Sequence, residues 1–318
     1  MTVTLQQLLY LVAVADVRSF TRAADRSGVA QPTLSRALRT LEAELGAPLF
    51  DRGATVTLTP AGEAVLPLAR RMLADADTAR TTVAEIAGVR RGRVRIGATP
   101  SLCIGVLADV LRVFHQQHPG IHVELTEAGS QPLVDGQLRG ELDIALVIVP
   151  PDGVDPALHT APLLRERLSV ASPSSQRPLA TRGSITVGEL ARHPLVMPSK
   201  GYDLREVTLR AYAAAGAEPR VAVEGAQMDA VLRLVEAGTG VAVVPDLVFA
   251  GRPRLRRTVL NPALYRTVAL ARRTDIAPPP AVTAFADTLV DHLADDPVRT
   301  AGDVQVLHRH RTGRELLG

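Results

Sequence analysis

The chain has 318 residues, a formal net charge of +3 and 46% hydrophobic residues, and it contains no run of the ~20 apolar residues that span a bilayer. This length predicts two or three compact units, and the mild charge confines any nucleic-acid surface to a local patch. The single cysteine, Cys103, excludes an internal disulfide and a two-cysteine redox switch. The apolar run near the amino terminus is short and no positive charge precedes it, so we expect no signal peptide and a soluble cytoplasmic protein.

Four segments follow one another along the chain. Residues 1–58 are predicted to form three short helices and a hairpin, residues 59–88 one long helix, and residues 89–92 a hinge rich in glycine and arginine. Strands and helices alternate over 93–294, which predicts a parallel-type sheet flanked by helices and therefore an α/β fold. The polar, basic residues 295–318 are predicted to form a poorly packed tail.

The most informative part of the N-terminal region is the segment VAQPTLSRALRTLEAELG, residues 29–46. Its leucines recur at helical spacing and form an apolar stripe; they are Leu34, Leu38, Leu41 and Leu45. The opposite face holds Arg36 and Arg39, and the first half of the segment holds no acidic residue. Two interpretations follow: an ordinary core helix, or a helix whose second face contacts DNA phosphates and base edges.

A second predicted helix directly precedes this one. Ser19 is a candidate N-cap, and Ala23 and Ala24 are small enough to permit close helix approach. Gly28 then closes a tight turn into the next helix. A helix, a short glycine-containing turn and a second helix form the helix-turn-helix arrangement, which favours the DNA-binding interpretation.

The stretch SFTRAADRSGVAQPTLSRALRTLEAELGAPLFDR, followed by LTPAG, closely resembles the DNA-binding segment of the LysR-type transcriptional regulators. The resemblance runs from about Leu5 to Gly62, and the later α/β arrangement is similar to the family's effector domain as far as about residue 293. It implies a winged helix-turn-helix that binds double-stranded DNA. The residues implied at the DNA are Thr21, Gln31, Pro32, Thr33, Ser35, Arg36, Arg39 and Arg52.

Two features depart from the pattern of many family members. Ala30 stands where relatives carry serine or threonine, and the loss of a capping oxygen costs about 1 kcal/mol of helix stability. The wing, FDRGATVTLTP, is about one residue shorter than in relatives, and Arg52 is its only basic residue. Fewer phosphate contacts predict a shallower dependence of DNA affinity on salt.

The predicted long helix begins with Thr59 as N-cap and Pro60 at the first helical position. Apolar residues then recur at spacings of three or four: Val65, Leu68, Met72, Ala76, Ala79, Val83 and Ile86. Such a seam is typical of helices that pair, although packing against its own domain is the alternative. The resemblance favours pairing in a homodimer, and homotetramers built from two dimers are common in the family.

The C-terminal half predicts a cleft between two Rossmann-like α/β subdomains, residues 93–163 with 267–294 and residues 164–266, in an arrangement that resembles periplasmic binding proteins. Ligands on such sheets lie beyond the carboxyl ends of strands, where helices begin. Three loops have this position, and their hydroxyls and backbone N–H groups suit a carboxylate or similar anion. The predicted effector-binding residues are Thr99, Ser101, Ser130, Gln131, Ser199, Lys200, Gly201 and Tyr202.

Two residues of these loops raise specific alternatives. Lys200 is the only lysine among the 36 Lys and Arg residues, and a compact ammonium in the cleft would pair with a small anionic effector. The alternative is a solvated loop lysine. Cys103, next to the first loop, is predicted to be a small buried apolar residue rather than a redox sensor.

Common catalytic and nucleotide-binding motifs such as G-x-S-x-G, the P-loop, H-E-x-x-H and G-x-G-x-x-G are not found. His308 and His310 are weak evidence for a metal, and neither a metal nor another cofactor is predicted. Two hypotheses remain, a ligand-controlled DNA-binding regulator and a solute-binding or enzymatic α/β protein with an incidental helical module. The second needs a secretion signal or a catalytic motif. The sequence therefore predicts a regulator without enzymatic activity, whose partners are DNA, a small effector, a second copy of itself and RNA polymerase.

Overall fold

The computed structural model describes residues 3–53, 55–86, 92–150, 153–181, 183–295, 303–307 and 312–317. The chain divides into two compact units. The first comprises Met1–Ala87 with Leu138–Glu141, and the second comprises Gly88–Gln137 with Leu142–Gly318. Of the predicted hinge, only Gly92 lies within the described residues, where it begins a strand.

The first unit has the elements predicted for it, three short helices, a hairpin and one long helix. They are α1 (Leu5–Val17), α2 (Phe20–Arg26), α3 (Gln31–Leu45), β1 (Phe50–Arg52), β2 (Val56–Leu58) and α4 (Pro60–Ile86). The two strands pair antiparallel, with Phe50 opposite Leu58. This is the helix-turn-helix with its wing, followed by the long helix.

Local hydrogen bonds explain where the helices of this unit begin. The Ser19 hydroxyl accepts a hydrogen bond from the Arg22 amide at 3.4 Å, and the Thr59 hydroxyl accepts one from the Gly62 amide at 3.0 Å. Both predicted caps are therefore confirmed. Packing also requires a glycine at position 62, because a Cβ atom on Gly62 would lie 2.1 Å from the backbone oxygen of Leu49.

The apolar stripe of α3 is confirmed at three of its four leucines. Leu34, Leu38 and Leu41 are fully buried in the core of the first unit. Leu45 was predicted to join them but is 37% exposed. It is the last residue of the helix, and Gly46 follows as a left-handed C-cap with φ of 75°, so the final turn extends past the core.

The second unit begins with an alternation of strands and helices that we name the first lobe. It comprises β3 (Gly92–Ala98), α5 (Pro100–Leu102), a π-helical segment (Cys103–Leu107), α6 (Ala108–Gln117), β4 (Ile121–Glu127), α7 (Ser130–Leu138), β5 (Ile144–Ile148) and, later in the chain, α11 (Pro280–Asp295). Strand β3 pairs in parallel with both β4 and β5. This part matches the predicted parallel arrangement.

A second alternation forms what we name the second lobe. It comprises β7 (Ser184–Thr186), α8 (Val187–Leu190), β8 (Leu195–Pro198), α9 (Asp203–Ala214), β9 (Val221–Ala226), α10 (Met228–Glu236), β10 (Ala242–Pro245) and a 3₁₀ turn (Asp246–Phe249). Strands β8 and β9 pair in parallel. Each lobe has its own apolar core.

Two long strands join the lobes, β6 (Leu158–Pro173) and β11 (Leu255–Arg273). They pair antiparallel along most of their length, within a sheet ordered β10-β6-β11-β5-β3-β4. In β6, Leu163 packs in the core of the first lobe and Leu168 in the core of the second. We name them the crossing strands, and they make the sheet mixed rather than purely parallel.

The tail was predicted to be poorly packed, and this is wrong for its described residues, 303–307 and 312–317. Strand β12 (Val304–Val306) pairs antiparallel with β6, and helix α12 (Gly313–Leu317) packs on α11. Leu316 and Leu317 are buried in the core of the first lobe. The buried leucines thus anchor this segment in the core of the first lobe, although most of its residues are polar. His308 and His310 lie outside the described residues.

Over the described part of the chain, every helix is either too short or too polar to cross a bilayer.

Candidate functional site

Helix α3 presents the polar surface expected of a recognition helix. Gln31, Pro32, Thr33, Arg36 and Arg39 are all exposed, while three leucines of the same helix are buried. The two faces proposed from the sequence are therefore two sides of one helix. The exposed face contains two guanidinium groups, and such groups bind phosphate oxygens and guanine edges.

Ser35 differs from the other residues predicted at this surface. It is only 6% exposed, and its hydroxyl accepts a hydrogen bond from Gln31 Nε2 at 2.9 Å. Its position beside Leu34 brings it to the edge of the buried face. Ser35 therefore orients the Gln31 side chain rather than presenting its own hydroxyl to solvent.

Three residues outside α3 complete this surface. Thr21 is exposed on α2, as predicted for a residue near the DNA backbone. Arg52 is the last residue of β1, and its side chain lies outside what the structure describes. Arg26 was not predicted to contact DNA; it is exposed at the end of α2 and adds a basic group just before the turn into α3.

The start of α3 lacks a side-chain cap. Ala30 is the N-cap residue, with φ of −68° and ψ of 138°, and no side chain among the described residues caps the first free amides. This agrees with the expectation from the sequence. The backbone conformation is the one in which a serine or threonine hydroxyl caps a helix.

Ala30→Ser should stabilise the first turn of α3 by about 1 kcal/mol, because a serine oxygen can accept a hydrogen bond from the amide of Thr33. Hydrogen–deuterium exchange of the α3 amides measures this as slower exchange. Ala43→Ser, at an exposed position within the same helix, is the control and should lower helix stability by about 0.5 kcal/mol. Equal protection in both variants would contradict the missing-cap explanation.

The second site is a narrow cleft within the second unit, with a free interior of about 20 Å³. It lies where the loops after β3 and β8 meet the crossing strand β11. Its lining residues are Pro100, Ser101, Pro198, Tyr202, Asp203, Leu204, Ala226, Met228 and Arg266. Of the predicted effector-binding residues, Ser101 and Tyr202 line this space.

A buried ion pair forms one polar side of the cleft. Arg266 and Glu166 are direct cross-strand neighbours on β11 and β6, with Arg266 Nη2 at 2.6 Å from Glu166 Oε1. The same Nη2 donates a hydrogen bond to Ser101 Oγ at 2.8 Å, and Glu166 Oε2 accepts one from the Leu247 amide. Burial raises the pKa of the Glu166 carboxyl, and Arg266 opposes that shift.

A second polar group spans the cleft between the lobes. Ser130, at the start of α7 in the first lobe, donates a hydrogen bond to Asp203 Oδ2 at the start of α9 in the second, at 2.7 Å. The Ile148 amide donates to the same Ser130 hydroxyl at 2.9 Å. The backbones also meet here, because a Cβ atom on Gly129 would lie 2.2 Å from the Gly201 oxygen.

The remaining predicted cleft residues have other surroundings. Ser199 donates a hydrogen bond to the Gly225 oxygen at 2.7 Å, and Gln131 Nε2 donates one to Asp135 at 2.9 Å. Lys200 is exposed and does not line the cavity. Thr99 is only 3% exposed, and its hydroxyl has no hydrogen-bond partner among the described residues. None of these four residues lines the cavity.

Two titratable groups near the cleft have shifted pKa values. Burial raises the pKa of the Cys103 thiol to about 12, and Glu127 adds to the shift. A thiol with so high a pKa is almost wholly protonated at neutral pH and reacts slowly with oxidants, which agrees with the apolar role predicted for Cys103. Burial also raises the pKa of Tyr202, again with a contribution from the charge of Glu127.

Three charged groups of the cleft were not predicted from the sequence: Arg266, Glu166 and Asp203. Asp203 directly follows a predicted loop and could have been found by extending that loop by one residue. Arg266 and Glu166 carry no such signal, because they are distant in sequence and become neighbours only through the pairing of the crossing strands. Among the described residues, no cluster of three His, Cys, Asp or Glu side chains is arranged to hold a metal ion.

Helix α4 exposes several of the apolar residues that were predicted to form a pairing seam. Leu68 is 53% exposed, Met72 50% and Val83 67%. By contrast, Val65 is half-buried and packs against the core of the first unit. Some residues of the predicted seam therefore pack within their own unit, and others are left on the surface.

Two family models match the chain. The model described as "Bacterial regulatory helix-turn-helix protein, lysR family" matches residues 5–63, and the model described as "LysR substrate binding domain" matches residues 87–294. The first covers the helix-turn-helix and wing, and the second covers both lobes.

Similar proteins agree with these matches. The HTH-type transcriptional regulator TtuA of Agrobacterium vitis is 36% identical over 251 residues, which are 76% of this chain and 80% of TtuA. A full-length OxyR variant from Pseudomonas aeruginosa is similar in structure, with a TM-score of 0.69 and 28% identity, covering 94% of this chain and 97% of that one. Full-length CbnR, solved in complex with its target DNA, has a TM-score of 0.66 and 27% identity, covering 90% and 99%.

Proposed function

Because the chain belongs to the LysR family of DNA-binding transcriptional regulators with an effector-binding domain, we propose that it reads its operator through α3 and senses a small anion in the cleft of the second unit. The domain boundaries predicted from the sequence, 1–58, 59–88, 93–294 and 295–318, belong to this proposal. The chain acts in it as a regulator and not as an enzyme.

The proposed DNA contact rests on the exposed face of α3. Gln31 and Thr33 face the bases, while Arg36 and Arg39 contact phosphates, or Arg36 a guanine edge. The hydrogen bond from Gln31 to Ser35 fixes one of these side chains before DNA arrives, which reduces the entropy lost on binding. That CbnR was solved with its target DNA supports a double-stranded operator as the partner here.

The proposed assembly is a homodimer formed through α4. A row of exposed Leu68, Met72 and Val83 on one long helix is favourable to bury against the same row of a second chain. A dimer places two copies of α3 on two half-sites of an imperfect palindrome. Further association into a tetramer, and contact with RNA polymerase at the promoter, extend this proposal.

The observation that carries the proposed anion site is the position of Arg266. Its guanidinium is buried at the wall of the cavity, and its Nη1 has no hydrogen-bond partner among the described residues. An acid group in the cleft would accept hydrogen bonds from this nitrogen and from the Ser101 hydroxyl. The sequence left open whether Lys200 has this role or is a solvated loop lysine; its exposed position away from the cavity wall favours the second alternative.

Effector binding and DNA binding are coupled in this proposal through the crossing strands. A ligand in the cleft changes the balance between arrangements of the two lobes, and the change is transmitted through the dimer to the spacing of the two α3 helices. Such coupling is reciprocal, so that DNA changes the affinity for the effector by the same factor.

Arg36→Ala should weaken specific DNA binding by ~1–3 kcal/mol while effector binding stays unchanged. Fluorescence anisotropy with the DNA upstream of the protein's own gene measures this at several salt concentrations. If Arg36 contacts a phosphate, the log–log slope with salt falls by about 0.9; a guanine contact instead relaxes base preference. Arg112→Ala, which removes an exposed arginine of α6 in the second unit, is the matched control.

The proposed effector binding is tested with the same protein preparations. A panel of small carboxylates is screened for an increase in thermal stability, because a ligand that binds only the folded chain stabilises it. A carboxylate that raises the thermal stability of the wild type should no longer do so when Arg266 is replaced. An unchanged effect in that variant would contradict the cleft assignment, and loss of effector binding in Arg36→Ala would contradict the division of roles between the units.

A further inference from the structure

The cleft contains a carboxylate as well as a guanidinium. Asp203 is the first residue of α9, and it lines the same cavity as Arg266. Its Oδ2 atom accepts the hydrogen bond from Ser130 at 2.7 Å, which fixes the orientation of the carboxylate. Its Oδ1 atom has no hydrogen-bond partner among the residues that the structure describes, and so remains available to a ligand.

The charges of the cleft are not balanced. Arg266 already has Glu166 as its counter-ion, whereas Asp203 has no basic side chain within 4.0 Å among the described residues. Glu127 adds negative charge nearby, as its effect on the pKa of the cavity residue Tyr202 indicates. A ligand with only negative charge would gain hydrogen bonds from Arg266 but would be repelled by Asp203.

The rest of the wall is apolar and the space is small. Leu204, Met228 and Ala226 line the cavity beside the two charged groups. Its free interior of about 20 Å³ has room for about one water molecule, so a larger ligand needs the lobes to move apart. These apolar walls favour a ligand that carries an apolar group beside its charged groups.

We propose that the effector is a small zwitterion of the α-amino-acid class, with its carboxylate on Arg266 and Ser101 and its ammonium group on Asp203. The inference rests on the proposed effector function of the same cleft and narrows it. Asp203 accepts a charge-assisted hydrogen bond from the ammonium group, and the ligand brings the positive charge that the cleft lacks. A dicarboxylate of equal size is excluded by repulsion from Asp203.

Matched pairs of ligands test this on the full-length protein. The pairs are norvaline with pentanoate and leucine with 4-methylpentanoate, which differ only by the amino group. Isothermal titration is carried out on the wild type, on Asp203→Asn and on Glu206→Gln. Asparagine keeps an acceptor for Ser130 but removes the charge, and Glu206 provides a matched control because it is an exposed carboxylate in the same first turn of α9.

At least one amino acid should bind the wild type ~10-fold or more tightly than its deaminated partner. Asp203→Asn should abolish this preference, and Glu206→Gln should retain it. If the deaminated acids bind as tightly as the amino acids, or if Asp203→Asn keeps the preference, the zwitterion proposal is overturned while an anion-binding cleft stands. If no member of any pair binds, the zwitterion proposal also fails, and the carboxylate screen then decides separately whether the cleft binds an effector at all.

Discussion

Replacing Glu166 with glutamine should cost the second unit about 3–5 kcal/mol of unfolding free energy, because it leaves the Arg266 guanidinium buried without a counter-ion. The carboxylate is fully buried and lies 2.6 Å from Arg266 Nη2. It also accepts a hydrogen bond from the Leu247 amide, at the start of the 3₁₀ turn. Both the guanidinium and the amide lose a charged partner when Glu166 is replaced by a neutral side chain.

Urea unfolding followed by tyrosine fluorescence measures this effect. The chain has no tryptophan, and three of its tyrosines, Tyr202, Tyr212 and Tyr265, belong to the second unit. Asp109→Asn is the control, since its contact with Arg112 spans 3.7 Å between exposed side chains and contributes at most ~1 kcal/mol. A loss in Glu166→Gln no larger than in the control would show that the pair is dispensable.

A double variant separates stability from ligand binding. Glu166→Leu with Arg266→Met removes both charges together, and apolar replacement of a buried pair is often neutral or stabilising. We expect this variant to fold and to recover most of the stability lost in Glu166→Gln. It should nevertheless fail to bind the anion, because the guanidinium is gone.

Leu316→Ala should destabilise the second unit by about 2–5 kcal/mol, although it lies in a segment whose composition is polar. Leu316 is 1% exposed and belongs to the core of the first lobe, together with Phe285 of α11. Gly313 allows α12 to lie close against α11, since a Cβ atom at this position would lie 2.2 Å from the Asp287 amide nitrogen. The close approach means that the cavity left by alanine cannot collapse easily.

Thermal unfolding of the full chain provides the measurement, and the same tail supplies its control. Leu307 is 42% exposed, so Leu307→Ala should change stability by no more than about 0.5 kcal/mol. If Leu316→Ala is as mild as Leu307→Ala, α12 does not contribute to the folded core.

The sequence was sufficient where periodicity and capping residues decide the structure. The spacing of Leu34, Leu38 and Leu41 identified the buried face of α3. The residues on the opposite side of the helix were therefore predicted to be exposed. Ser19 and Thr59 marked two helix starts. The burial of Ser35 was not predicted, because the position next to Leu34 lies at the edge of the apolar stripe, where the helical period alone does not decide between burial and exposure.

The cleft was predictable only in part, for a topological reason. Loops that follow parallel strands meet at one edge of a sheet, so Ser101, Ser130 and Tyr202 were found from strand positions alone. Arg266 and Glu166 come instead from the middle of the crossing strands, and their partnership depends on the register between β6 and β11. Register between strands so distant in sequence has no local signal.

The prediction for the tail failed for a different reason. Strand β12 and helix α12 have only three and five residues, so each is too short for a periodic pattern to emerge. The basic residues around His308 and His310 dominate the composition of the segment. The burial of the two adjacent leucines, Leu316 and Leu317, was consequently not predicted.

The contact between Gly129 and Gly201 has a kinetic consequence. The lobes already meet there, and the hydrogen bond from Ser130 to Asp203 adds a polar link across the same gap. An effector that needs the lobes apart to enter can bind only the fraction of molecules that is open at that moment. Its apparent affinity is reduced by that fraction, and its association rate reaches a ceiling set by the rate at which the gap opens. We therefore expect the dose at which this regulator responds to depend partly on Gly129, Gly201 and Ser130, which the effector need not contact.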